Sequence, residues 1–85
     1  MYSERFGREV KITRHAMQRM RTRCITDLEL ALLIEEGQTR NKDEYRLWVA
    51  HRFEERLDNM LCAPVVLEEK FLIVKTVMHH FSWEG

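Results

Sequence analysis

The sequence predicts an α+β domain: a short N-terminal strand, two helices, then a three-strand antiparallel meander, with the helices packed on one face of the sheet. Three observations carry that expectation. A capping box, Thr26-Asp27-Leu28-Glu29, opens an apolar helix that stops at Gly37. The apolar period changes to two from Tyr45. Residues 71–81 are a long β-branched and aromatic run. At 85 residues the chain has the length of one small domain, residues 1–85, with no internal repeat or linker.

The elements follow in order. Residues 10–13, Val-Lys-Ile-Thr, alternate apolar and polar and predict a short strand. Thr13 is the N-cap of a helix over residues 14–23, whose apolar face is Thr13, Ala16, Met17, Met20 and Cys24. Thr26 caps the second helix, with Glu29 reaching back to its amide. Ile25 and Leu30 form the accompanying hydrophobic staple, and Gly37 supplies a left-handed C-cap. Residues 38–44 are polar and read as a loop or frayed strand. In residues 45–53, Tyr45, Leu47, Val49, His51 and Phe53 alternate with Arg46, Trp48, Ala50 and Arg52, which predicts a half-buried strand; a helix is the rival, since Leu47, Ala50 and Phe53 would also align. Residues 60–67 are the next strand, where Pro64 implies an edge, a bulge or a strand start. Residues 71–81 form the last strand, central and covered on both faces at its apolar beginning.

Formal net charge is zero, yet its distribution is uneven. Residues 1–26 hold seven basic and two acidic groups, for +5, and the rest of the chain holds −5. Ten of the fourteen cations are Arg, whose planar fork suits phosphate. A basic segment on an otherwise acidic chain faces either a polyanion or the protein's own carboxylates, and total charge does not separate the two. Cys24 and Cys62 lack metal-ligand or disulfide-scaffold spacing, which suits reduced thiols in a cytoplasmic protein. No apolar run reaches the ~18 residues of a membrane helix, and the N-terminus lacks the apolar region of a signal peptide.

The residues that could carry chemistry begin with His15, Arg19 and Arg23, successive i+4 positions on one helix face, with Arg14 beside them. Two guanidiniums would clamp a phosphodiester while an imidazole, titrating near neutrality, moves a proton. The plainer reading is a solvated helix face paired with downstream acids. Arg46, Trp48 and Arg52 share a strand face, where an indole between guanidiniums would stack a base; the plainer reading buries Trp48 beneath the sheet or in a dimer contact. His15, His51, His79 and His80 do not spell a metal motif. His79 and His80, adjacent on a strand, are expected on opposite faces, so no metal site is expected.

Residues 12–26, Ile-Thr-Arg-His-Ala-Met-Gln-Arg-Met-Arg-Thr-Arg-Cys-Ile-Thr, fit a pattern His-Ala-x-x-Arg-x-x-x-Arg followed by a glycine-like position, Ile and Ser/Thr. In this the chain resembles a domain family of unknown function from small bacterial proteins that is grouped with RelE-like toxins, within the wider set of metal-independent ribonucleases that includes barnase and the colicin RNases. The resemblance extends through the second helix and ends on residues 73–77, Ile-Val-Lys-Thr-Val; its close part is residues 10–26. Cys24 departs from it, standing where glycine is usual, and so does the long stretch over residues 40–59.

The resemblance implies a RelE-like domain, and marks His15, Arg19, Arg23 and, on the last strand, Thr76 as catalytic positions. The function it implies is RNA binding with metal-independent endoribonuclease activity of the toxin type. The implied partners are RNA, including ribosome-bound mRNA, and an antitoxin protein, with no membrane and no cofactor. His15 would be base or acid, Arg19 and Arg23 the phosphate clamps, and Lys75 or Thr76 a further donor. RelE-type toxins also use Arg, Lys and Tyr, which keeps Tyr45 and Arg46 as candidates. Arg14, Arg46, Trp48, Arg52 and Lys75 would bind the RNA strand. The alternative is a non-catalytic interaction or dimerisation module on the same fold, its basic face neutralised within the chain or across a homodimer; the zero net charge favours that alternative.

Overall fold

The computed structural model describes residues 1–83. Strands β1 (Tyr2–Ser3) and β2 (Arg8–Ile12) precede helices α1 (Arg14–Thr22) and α2 (Asp27–Glu36). Strands β3 (Gln38–Asn41), β4 (Arg46–Arg52), β5 (Met60–Leu67), β6 (Phe71–Val74) and β7 (Met78–Phe81) follow. All seven strands join one sheet in the order β1-β2-β6-β5-β4-β3, with β7 paired to β5. The expected layout, helices on a three-strand meander, is therefore wrong: the protein is mostly one mixed sheet with two short helices.

Three local causes explain the difference. The polar residues 38–41 form β3 because they pair along the edge strand's neighbour, Gln38 opposite Ala50 through Asn41 opposite Leu47; backbone pairing there needs no apolar pattern. β2 does not stand apart but lies parallel to β6, Glu9 opposite Phe71 through Ile12 opposite Val74. That pairing spans the whole chain and leaves no local signal. The long last strand is broken at residues 75–77: β6 pairs with the C-terminal end of β5 and β7 with its N-terminal end, across an irregular register.

Pro64 sits at the centre of β5, which is neither an edge nor a strand start. The Lys75 amide donates to the Pro64 carbonyl at 3.1 Å, and in an antiparallel pair of this kind residue 64 would return an N–H to the Lys75 carbonyl. Proline has none. The Lys75 carbonyl instead accepts from Thr13 Oγ1 at 3.0 Å, while the Thr13 amide donates to the Val74 carbonyl at 3.2 Å. Thr13 is also the N-cap of α1, accepting from the Ala16 amide. The missing donor of Pro64 thus frees an acceptor that holds the start of α1 against the break between β6 and β7.

The core lies on one face of the sheet. Val10, Leu47, Val49, Val65, Leu72 and Val74 point there and meet Ala16 and Met20 of α1 and Leu30, Leu33 and Ile34 of α2. From the expected apolar face of α1, Met17 and Cys24 are exposed. The capping box of α2 is present, Thr26 Oγ1 accepting from the Glu29 amide at 3.0 Å and Glu29 Oε1 from the Thr26 amide at 2.9 Å. Gly37 is not left-handed; its φ is −70°. Glycine is needed for closeness instead, since a Cβ there would collide with the Leu33 carbonyl and lie 2.7 Å from Val49 Cγ1. The N-terminal segment is tied to the end of α2 by Glu35, which accepts from Ser3 Oγ (2.6 Å) and from the Glu4 and Arg5 amides. Burial alone would raise the Glu35 pKa, but these bonds hold it below its usual value.

Candidate functional site

The site begins at the break in the last strand. Because Thr13 is bonded to Val74 and Lys75, the first residues of α1, Arg14 and His15, emerge beside Lys75. At its other end α1 is held by Arg23, which is half-buried and donates to the Val77 carbonyl at 2.6 Å. Thr76 lies between these two anchors. His15 and Arg19 share one face of α1, and Arg23, its C-cap, leans onto the break between β6 and β7 that carries Thr76, which is therefore not on a strand. His15 and Arg19 are exposed.

Their surroundings decide between a polyanion and the protein's own acids. The ion pairs among the described residues join the N-terminus to Glu9, Arg46 to Asp43, Arg56 to Glu29 and Asp58, and His79 to Asp58. None of the seven basic side chains of residues 1–26 takes part. Arg5, Arg8 and Arg23 are spent on backbone carbonyls, and Arg14, Arg19 and Arg21 remain exposed to solvent. Near the helix-to-helix turn Glu29 is taken by Arg56, and Asp27 lines a surface depression with Arg21 without an ion pair to it.

A second group lies on the sheet face opposite the core. Directly opposed residues share a face of an antiparallel sheet, so two rows can be followed across the strands. One runs Arg40, Trp48, Pro64 and Lys75; the other runs Arg46, Val66, Ile73 and Lys11. Each row ends in cations. Lys42, Arg46, Trp48 and Lys75 line one open groove with Pro64 and Val66. Its volume, about 170 Å³, falls below the roughly 300–1,000 Å³ of pockets that enclose a small ligand. Trp48 is half-buried at its wall, not sealed beneath the sheet. Behind it Arg40 lies over the Trp83 ring at 4.6 Å, and Trp83 meets Phe81 edge to face. Lys11 covers Phe71 at 4.2 Å.

Of the residues expected to bind RNA, Arg46, Trp48 and Lys75 are together in this groove; Arg14 is exposed at the start of α1 and does not line it. Arg52 is not: it lies at the far end of β4, its Nη2 donating to Asn59 Oδ1 at 2.8 Å. Arg46 is paired with Asp43, whose carboxyl the guanidinium and the Tyr45 and Arg46 amides hold at about 2. Tyr45 is exposed just before the same strand, which starts at Arg46 and not at Tyr45 as expected. Nothing local in the sequence marks Lys11, Arg40 or Phe81, which the strand register places on this face, or Trp83, which reaches it by contact with Arg40 and Phe81.

A different cluster closes the turn between the helices. Arg56, mostly buried, donates to the Arg23 and Cys24 carbonyls at 3.1 and 3.0 Å and to both oxygens of Asp58 at 2.9 and 2.8 Å. Cys24 has φ 54°, so it takes the left-handed conformation that glycine adopts most readily. The Arg56 guanidinium holds the Asp58 carboxyl at about 2. His79 Nδ1 lies 3.2 Å from Asp58 Oδ2. The expectation that His79 and His80 point to opposite faces fails: His80 has φ 55°, and the two rings are 4.5 Å apart. Cys62 is buried, which pushes its thiol up to about 12 and leaves it inert.

No helix among the described residues is long and apolar enough to cross a membrane. Residues 12–79 match the family model described as "Domain of unknown function (DUF4258)", and the chain belongs to that family. Neither the curated proteins nor the solved structures include a match to it.

Proposed function

We propose, for this member of a family without an assigned activity, that the chain is an RNA-binding protein and a metal-independent endoribonuclease of the RelE-like toxin type. The observation that supports the reading most is that Arg14, Arg19 and Arg21 are exposed on α1 without a carboxylate partner among the described residues, while Lys42, Arg46, Trp48 and Lys75 line a groove on the other face of the sheet. Cations without carboxylate partners bind phosphates at little desolvation cost, and a half-exposed indole stacks bases without regard to sequence. A single RNA strand would run along this groove, pass Lys75 and reach the start of α1.

There His15 takes the proton of a 2′-hydroxyl. The freed oxygen attacks the adjacent phosphorus, the bond to the 5′-oxygen breaks, and that oxygen takes a proton from water. The products are a 2′,3′-cyclic phosphate and a 5′-hydroxyl. Arg19, and the Arg23 N–H groups not held by Val77, stabilise the charge that builds on the phosphate; Thr76 offers a hydroxyl from the break between β6 and β7. A toxin of this kind would work in the cytoplasm on mRNA and be restrained by an antitoxin protein.

Incubation of the purified protein with cellular RNA in chelator, beside His15→Ala, tests the reading. Cleavage by the wild type that falls by about 10²-fold or more in the variant is expected for loss of a proton carrier. Equal cleavage by both removes His15 from the mechanism. No cleavage by either, with RNA still bound, leaves a binding module on the same fold.

A further inference from the structure

Outside the basic groove, one group of titratable side chains has no part in the reading above. Asp58 precedes β5, and His79 and His80 stand on β7. Neighbours on a regular strand point to opposite faces. His80 instead has φ 55°, a conformation in which a non-glycine residue is strained and which clusters at ligand sites. The result is two adjacent imidazoles on one side of the strand, ring centres 4.5 Å apart, with a carboxylate beneath them. One donor atom from each of Asp58, His79 and His80 lies within 4.8 Å of the other two.

From this geometry we infer that Asp58, His79 and His80 bind a divalent cation of the zinc class. Two imidazole nitrogens and one carboxylate oxygen are a usual three-ligand set for zinc, leaving a fourth position for water. Tetrahedral bonds of about 2.0–2.1 Å hold neighbouring donors about 3.3 Å apart. The His79 Nδ1 to Asp58 Oδ2 distance, 3.2 Å, already has that value, so only the exposed His80 ring has to turn inward. Arg56 does not forbid the ion. It bonds the carboxylate from the outside, as groups around metal ligands do, and a carboxylate has about four acceptor sites. Its charge is shared between Asp58 and Glu29, so Glu29, Arg56 and Asp58 together are net negative. The ion would fasten β7 to the segment before β5 and, through Arg56, to the turn between the helices. This site is independent of RNA cleavage, which proceeds in chelator under the function proposed above.

Titration of the full chain, stripped of metal, with zinc chloride in a calorimeter tests the site. One ion per chain is expected, with affinity lowered at least tenfold in His80→Gly, a substitution that suits the φ of 55° and removes only the exposed imidazole. Cys24→Ser should bind as the wild type does. Cobalt(II) in the wild type provides a second measurement, with a tetrahedral visible spectrum and no thiolate charge-transfer band. The site is overturned by the absence of saturable binding, by equal affinity in His80→Gly, or by a thiolate band that moves the ion to Cys24.

Discussion

The two helices are joined by a turn of a few residues, yet they are built on different terms. α2 is held by its own side chains: Leu30, Leu33 and Ile34 are buried in the core, and a complete capping box closes its start. α1 buries only Ala16 and Met20 and is held at its ends by groups from elsewhere. The broken strand receives Thr13 and Arg23, and Arg56 takes the carbonyls of Arg23 and Cys24. The difference teaches where free surface comes from. A helix pinned by its ends leaves its sides open to solvent, and the candidate catalytic stripe lies on such a side.

The largest effect that would break this comparison is a core truncation in α2. Leu33→Ala removes a fully buried side chain and should cost about 2–5 kcal/mol, measured by denaturant unfolding. Met17→Ala on the exposed side of α1 should stay within about 0.5 kcal/mol of the wild type. Similar losses at both positions would mean that α1 is packed as firmly as α2.

Next comes Arg56→Met. It removes the donors from two carbonyls at the end of α1 and leaves Asp58 without its guanidinium. A loss of about 3 kcal/mol is expected for breaking a largely buried pair, and amide exchange should rise across α1 more than across α2. The acid limb also changes. In the folded protein Asp58 titrates at about 2, below its ordinary 3.8. The stability it contributes is therefore complete above about pH 4 and is lost as pH falls through 4 towards 2. In Arg56→Met that part of the acid sensitivity should shrink. An unchanged acid limb would show that Arg56 is not what holds the Asp58 carboxyl down.

The same contrast explains what the sequence discloses. The start of α2 is legible to the residue because a capping box is a local device within four positions. The start and finish of β5 are legible as well, since residues 60–67 are apolar between polar neighbours. The parallel pairing of β2 with β6 is not, because residues 9–12 and 71–74 meet across the length of the chain and neither carries a mark of the other. β3 is hidden because an edge strand can be wholly polar. Pro64 misleads for a similar reason: its lost hydrogen bond is compensated by Thr13, from the far part of the sequence. For the site, i+4 spacing reveals His15, Arg19 and Arg23, but the row from Arg40 to Lys75 and the approach of His80 to His79 depend on register and on one positive φ.

The two N-caps give a smaller and sharper test. Thr26→Ala and Thr13→Ala each remove a side-chain acceptor from a helix start and should each cost about 1 kcal/mol. Their local consequences differ. Thr26 serves α2 and its partner Glu29 alone, whereas Thr13 also donates to Lys75. Thr13→Ala should therefore speed amide exchange at residues 74–76 and weaken RNA binding, while Thr26→Ala does neither. Equal RNA affinity in the two variants would detach the start of α1 from the groove.

The smallest effect concerns the turn that sets the angle between the helices. Cys24 is left-handed, which strains a residue with a Cβ by about 1–2 kcal/mol, and its side chain is exposed. Cys24→Gly relieves that strain but gives the unfolded chain more freedom, worth roughly 0.5–1 kcal/mol against folding. The balance is a gain between about zero and about 1.5 kcal/mol, read as a higher unfolding midpoint with an unchanged denaturant slope. Arg56 grips the Cys24 carbonyl and not its thiol, and the Ile25 and Cys24 amides close the turn on the Met20 and Arg21 carbonyls, so the gain should persist in the Arg56→Met background. A loss of stability in Cys24→Gly alone would show that the thiol, and not the backbone, is what this turn requires.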